Sequence, residues 1–270
     1  MAAMNATQRL ADSAAAAKGT PRATLHYIHD PLCGWCYAAA PLVEAARRVP
    51  GLVIAWHAGG MMAGPARRAI TPQWRDYVLP HDQRIAALTG QPFGAAYVDG
   101  LLRDTTAVMD SEPPITALLA AEALHPGSGG LDLLHRVQVG HYVQGRRIAD
   151  ADVLIAMATE AGWDGAAFAR AYADAQGPAT QRHIDDSRQL LRAVGGQGFP
   201  TLVLETATGS RQVQDLSAWL GRPAPWQDHL SRWTASQPAS RPDAGPVPPD
   251  AMACVPGQGC GPAGRAGGSA

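Results

Sequence analysis

The chain has 270 residues, 22 basic and 23 acidic side chains, a formal charge of −1 and a hydrophobic fraction of 46%. That length buries a sizeable core and fits one to two domains. The balanced charge argues against nucleic acid or an anionic membrane surface as a partner, and no run approaches the roughly 18 apolar residues of a membrane span.

Residues 1–22 read as a flexible leader. Its longest apolar run is Ala14–Ala17, and Asn5, Thr7, Gln8, Arg9, Asp12 and Ser13 occupy the place of a signal-peptide core. No secretory signal is therefore read, and a cytoplasmic location is expected. Thr24–His29 is rich in β-branched and aromatic residues and predicts a strand. Asp30-Pro31 ends it. A helix is expected from about Gly34 to Val49, with Leu42, Val43, Ala46 and Val49 at helical spacing, followed by a Pro50-Gly51 turn and a strand over Leu52–His57.

Helix-period segments then follow near Pro72–Leu88, Pro114–Leu124, Leu131–Val143, Asp150–Ala161, Asp164–Ala175 and Pro178–Val194. Asp150, Asp164 and Pro178 suit helix starts. Strands resume at Thr201–Glu205 and Arg211–Asp215, separated by Gly209-Ser210, and a last helix is expected from Pro225 to about Trp233. After Ser236 the composition turns to Pro, Gly, Ala and Ser, which cannot bury enough apolar surface to fold alone. The pattern is strand–helix–strand, a helical block, then strand–strand–helix.

Four cysteines form two close pairs, Cys33 with Cys36 and Cys254 with Cys260. That is too few for a disulfide-stapled scaffold of this length, and in a reducing compartment a close pair points to catalysis or metal binding. Cys33-Gly34-Trp35-Cys36 stands between a strand and a helix. Thiol–disulfide exchange needs a thiolate, and a helix start offers unpaired N–H groups and the positive end of the helix dipole. The i, i+3 spacing brings the second sulfur to the same helix face. Cys33 is thus the expected nucleophile and Cys36 the resolving thiol.

Half a zinc site is the main rival reading of C-x-x-C. His26, His29 or the pair Cys254 and Cys260 are the available further ligands, none of them fixed by the pattern, so no metal or cofactor is expected. Gly198-Phe199-Pro200-Thr201 leads from a glycine-rich loop into a strand. X–Pro bonds alone adopt cis cheaply, so Pro200 is a candidate cis-proline, against a plain edge-strand proline.

The run D-P-L-C-G-W-C-Y at Asp30–Tyr37, the helical insert and G-F-P-T at Gly198–Thr201 resemble the DsbA-like oxidoreductases of the thioredoxin superfamily, in particular their cytoplasmic FrnE-type branch. His141–Leu154 also resembles that branch's insert. The resemblance spans about Thr24–Trp233. It implies an α/β thioredoxin fold with a mixed four- to five-strand sheet and a large helical insert. The implied parts are a first half at 23–65, an insert at 66–192, a second half at 193–236 and a tail at 237–270. It further implies that Pro200 faces the cysteines, that Phe199 and Thr201 flank a substrate groove, and that the chain reduces or isomerises disulfides in proteins or small molecules with a thiol reductant. Gly-Trp between the cysteines departs from the Pro-His of strongly oxidising members. The tail residues Cys254 and Cys260 resemble a cysteine pair on the branch's C-terminal extension and are a candidate redox relay.

Two other functions remain open at this point. The kappa-class glutathione transferases and hydroxychromene carboxylate isomerases are similar in fold but typically carry serine where Cys33 stands. A metal-binding redox sensor is the second. Among lesser candidates, Trp35 either contacts substrate or packs on the insert. His57 lies either near the groove or against a local partner, and Met61 and Met62 line a peptide site or fill core. Asp30 is a proton acceptor for Cys36 or a turn residue. Arg67-Arg68 and Arg146-Arg147 read as solvated or helix-end charges.

Overall fold

The computed structural model describes residues 21–238. The expected leader, except Pro21 and Arg22, lies outside these residues. So do Cys254 and Cys260, the candidate redox relay.

Strand β1 (Ala23–His29) leads through residues 30–33 into helix α1 (Gly34–Ala46), which returns the chain to β2 (Leu52–Ala58). β1 and β2 pair in parallel, Ala23 opposite Leu52 and His29 opposite Ala58. Strand β5 (Thr201–Thr206) lies antiparallel on the other edge of β1, and β6 (Arg211–Val213) closes the order β2-β1-β5-β6. This is the mixed four-stranded sheet of a thioredoxin fold. The period-2 side-chain alternation of a strand puts Leu25, Tyr27, Ile54, Leu202 and Leu204 on one face, where they join Leu42, Val43 and Ala46 of α1 in the main core. Helix α8 (Pro223–Ala235) packs against α1 and seats the fully buried Trp226 and Leu230 in the same core.

Between β2 and β5 the chain is mainly helical. It forms α2 (Pro72–Thr89), α3 (Glu112–Leu124), α4 (Gly129–Tyr142), α5 (Ala151–Glu160), α6 (Gly165–Ala175) and α7 (Pro178–Ala193). Helix α3 is the centre of this group, packed on α4 and α6, and its Ile115, Ala117, Leu118, Ala120 and Ala121 are fully buried. Of the expected caps, Asp164 accepts from the Ala166 and Ala167 N–H groups at 2.9 and 3.0 Å, as an N-cap does, whereas Asp150 stands at the N-cap of α5 without a side-chain bond. A two-residue pairing of β3 (Arg68–Ala69) with β4 (Val108–Met109) has no counterpart in the sequence reading. Strands that short show no alternation to detect.

Pro41 within α1 removes the N–H that would bond to the Tyr37 carbonyl. The freed oxygen accepts instead from Gln91 Nε2 at 2.8 Å, just beyond Gly90, whose φ of 73° ends α2 in the left-handed region. The insert is thereby bonded to the helix that carries the cysteines.

Candidate active site

Cys33 is the N-cap of α1 and Cys36 stands in its first turn; the Cys36 and Tyr37 N–H groups both donate to the Cys33 carbonyl, at 2.9 and 3.0 Å. The N–H groups of Gly34 and Trp35, next in the chain after Cys33, have no intrahelical acceptor. Cys33 Sγ donates to the Phe199 carbonyl at 3.4 Å, and the Phe199–Pro200 peptide bond is cis. The two motifs of the sequence, far apart in the chain, thus meet at one sulfur. Cys36 is fully buried; its Sγ accepts from the Asp30 N–H at 3.4 Å. Burial, and then the neighbouring Cys33, raise the Cys36 thiol well above the ordinary range. Both of these cysteines are free thiols. The other two site candidates among the cysteines, Cys254 and Cys260, lie outside the described residues.

Cys33 opens on a cleft of about 840 Å³ together with Gly34, Trp35, Met61, Met62 and Trp74. Cys36 does not line it. Trp35 lines the cleft, and the Arg84 guanidinium of α2 sits 5.8 Å from its ring centre. Phe199, Pro200 and Thr201 do not line this cleft. Phe199 packs its ring on Gly59, where any side chain would collide with it, and the Thr201 hydroxyl turns back to the Gly198 carbonyl at 2.8 Å. Arg188 of α7 fixes the same wall by donating to the Gly59 and Gly60 carbonyls at 2.7 and 2.6 Å.

Asp30 is a structural hub as well as a turn residue. Its Oδ1 accepts from the Leu32 N–H and the Ser111 hydroxyl at 2.8 and 3.0 Å, and its Oδ2 from the Met61 N–H at 2.6 Å. Burial pushes this carboxyl up to about 6 against those three stabilising bonds. Ser111, at the head of α3, also accepts from the Met62 N–H at 3.0 Å. The loop before Cys33, the Met61-Met62 turn and the insert are therefore bonded through one buried carboxyl. Met62 fills core and, with Met61, also lines the cleft.

His57 has the local partner: it bonds His26 across the sheet at 3.0 Å, and His26 bonds Glu205 at 3.1 Å. Arg67 pairs with Asp110 at 3.0 Å, and Arg146 with Glu160. Arg147 pairs with Asp104, and Arg68 lies over the Trp74 ring at 4.8 Å. Arg67 and Arg68 nevertheless line the cleft. Among the described residues, no group of three or more His, Cys, Asp or Glu side chains is placed to hold a metal ion.

Two cleft residues escape a reading by motif, Asp82 on α2 and Tyr97 in the turns that follow it. Their signal was periodic: Val78, Asp82 and Ile85 share one helix face at i, i+4, i+7, so an acid interrupts an apolar stripe.

A family model for the DSBA-like thioredoxin domain matches residues 24–222. The chain belongs to the DSBA-like thioredoxin family. Among solved structures of this family, the cytosolic disulfide reductase DsbM from Pseudomonas aeruginosa is 50% identical. The alignment covers 78% of this chain and 98% of that one, with a TM-score of 0.73. A second structure of DsbM, with GSH, is 48% identical over 78% and 99% of the two chains, again at 0.73. A putative protein disulfide isomerase from Nitrosomonas europaea shares the fold at 23% identity and a TM-score of 0.63, over 78% and 97%. No curated protein matches the chain. With this family membership and a C-x-x-C at a helix start, the chain is a thiol–disulfide oxidoreductase.

Proposed function

We propose that this DSBA-like protein is a cytoplasmic dithiol–disulfide reductase that draws its electrons from glutathione or a similar small thiol. The observation that carries the reading is the asymmetry of the two sulfurs: Cys33 opens on the cleft and Cys36 is sealed behind it. Only the first can meet a substrate disulfide.

In this reading the Cys33 thiolate attacks one sulfur of the substrate, the substrate S–S bond breaks, and one half leaves as a thiol. Cys36 then attacks Cys33, and the second half leaves. The two electrons taken by the substrate came from the two thiols, which end as a Cys33–Cys36 disulfide. Two small thiols reverse that change and depart joined as their own disulfide. Poise in the compartment determines the direction, and a reducing one favours reductase over isomerase. The DsbM structure with GSH supports glutathione as the thiol, and the half-identical reductase supports the direction. The Phe199 carbonyl at Cys33 supports Pro200, with Phe199, as the part that aligns a substrate chain.

Glutathione-coupled reduction of a glutathionylated peptide, followed through glutathione reductase and NADPH, tests the proposal. Turnover that vanishes in Cys33→Ser is the expected result. Absence of turnover in the native protein, with glutathione or dithiothreitol as donor, defeats it. The same assay decides the relay role of Cys254 and Cys260, which rests on the tail resemblance alone. A relay requires that Cys254→Ser combined with Cys260→Ser lose turnover, whereas an unchanged rate removes both residues from the site.

A further inference from the structure

The mechanism above leaves proton transfer to the leaving thiol without a donor, and the cleft wall contains a group suited to it. Asp82 is 6% exposed. Its Oδ2 accepts the Tyr97 hydroxyl at 3.0 Å, whereas its Oδ1 has no hydrogen-bond donor among the described residues. No Arg, Lys or His lies within ion-pair distance of it among those residues. That free oxygen faces the first residue of α1. It lies 3.2 Å from where a β-carbon on Gly34 would stand, next to the nucleophile, and Asp82 lines the same cleft as Cys33.

A carboxyl without a cation, half satisfied and nearly buried, has no evident stabilising role. Its free oxygen reaches the cleft, while burial of the rest of the carboxyl disfavours the ionised form. Gly34 is the small residue that gives it room, since a side chain there would press on Asp82 Oδ1 and on Ile85.

Resting on the reductase reading, we propose that Asp82 is a catalytic residue, the general acid that protonates the sulfur displaced by Cys33 and the base that later recovers that proton. Cys33–S⁻, R–S–S–R′ and Asp82–COOH give Cys33–S–S–R, R′–SH and Asp82–COO⁻. Cys36–SH then displaces R–S⁻, which keeps the Cys36 proton. Of the two thiols that restore the site, the proton of the first ends on Cys36 and that of the second on Asp82.

Burial places the Asp82 carboxyl at about 6, close to neutral pH, where a general acid–base is most effective. The titratable groups about it are Tyr97, Tyr142 at the end of α4, and the Cys33 thiol on the same cleft. His81 lies beside it on α2, and Arg67 and Arg68 are the cations of the cleft.

The test compares two disulfides in single-turnover reactions with the reduced protein: dithiobis(nitrobenzoate), whose weakly basic aromatic thiolate gains little from a proton on leaving, and hydroxyethyl disulfide, whose strongly basic alkyl thiolate gains much. Asp82→Asn is expected to slow the alkyl reaction by about 100-fold or more and to leave the aromatic one unchanged. In the native protein the alkyl-to-aromatic rate ratio should fall as pH rises through about 6. Tyr97→Phe, which removes the donor that stabilises the carboxylate, should move that midpoint upward; this second variant covers the case in which Asp82→Asn does not fold. Equal losses with both disulfides, no loss, or a midpoint unmoved in Tyr97→Phe overturns the role of Asp82 and leaves the reductase reading standing. A native protein inert to both disulfides overturns the two together.

Discussion

Cys33 Sγ donates to the carbonyl oxygen of Phe199 at 3.4 Å, so the sulfur that lines the cleft is held against a backbone acceptor 166 residues away in sequence. Cys36 has no such outlet; its sulfur faces the Asp30 N–H within the core. The roles proposed for the two thiols rest on this difference in access. With glutathione disulfide as substrate, Cys36→Ser should accumulate one glutathione on Cys33, because the resolving attack is gone. Cys33→Ser should accumulate none at this site. Intact-mass measurement without reductant, in a background of Cys254→Ser and Cys260→Ser, reads both outcomes, and an adduct on Cys33→Ser would reverse the assignment.

Gly59 is where the loop of Phe199 meets the insert. A β-carbon there would lie 2.5 Å from Phe199 Cε1, and Arg188 holds the Gly59 carbonyl, so the backbone has little freedom to retreat. The aromatic ring must move, taking with it the carbonyl that faces Cys33. Gly59→Ala should cost about 1–3 kcal/mol, as overpacking does, and lower kcat/KM for disulfide reduction. The double variant Gly59→Ala with Phe199→Leu should be less impaired than the sum of its parts, because one clash underlies both effects. Strict additivity in urea midpoints and in rate would show that Gly59 and Phe199 do not share a contact of consequence.

The sheet, the helix of the cysteines and most insert helices are legible in the sequence because each has a period and a stop. Thr24–His29 and Leu52–His57 alternate or run apolar, and the Pro50-Gly51 and Gly209-Ser210 turns fall between elements as expected. The C-x-x-C and the Phe199-Pro200 turn are local patterns, so the residues that meet at Cys33 were found on both sides. What escaped is what depends on distant pairing. Ser111 looks like an ordinary helix start, yet its hydroxyl serves Asp30 from 81 residues away. Asp82 and Tyr97 have no motif, and only the fold brings them to Gly34. Thr201 follows the key proline, but its hydroxyl is spent within its own loop. Cys254 and Cys260, singled out by resemblance, lie outside the described residues.

Pro41 and Gln91 form a matched pair. The proline deletes one helical donor, and the glutamine side chain replaces it at 2.8 Å on the Tyr37 carbonyl. Gln91→Ala should leave that carbonyl short of a donor and lower stability by about 1–3 kcal/mol, the cost of an unsatisfied buried acceptor. Pro41→Ala restores the N–H and should rescue the Gln91→Ala variant. Denaturant midpoints of the two single variants and the double give the answer; a double variant no better than Gln91→Ala removes the link.

His141 governs part of the acid response. It is 1% exposed; neither ring nitrogen meets hydrogen-bond geometry, and the nearby Arg146 backbone offsets only part of the effect of burial. Tyr97 and Tyr142 stand edge-on to it at 5.2 and 4.7 Å. Burial pushes its pKa from 6.5 down to about 4. In the unfolded chain the ring protonates near its ordinary value, so below pH 6.5 the unfolded state binds a proton that the folded state refuses. Stability therefore falls as pH drops from 6.5 to about 4, by about 3 kcal/mol for this one group. His57 and His183, also held at about 4 by burial, act in the same direction. Asp30 and Asp82 act in the opposite one: held at about 6 from an ordinary 3.8, they stabilise the fold at low pH and lose that contribution as pH rises through about 6. His141→Leu removes only the first of these effects and fills a similar volume with no orphaned nitrogen. Its advantage over the native protein in urea midpoint should widen as pH is lowered from 7 to 4. A difference that stays constant across that range would mean that His141 is protonated as readily in the fold as outside it.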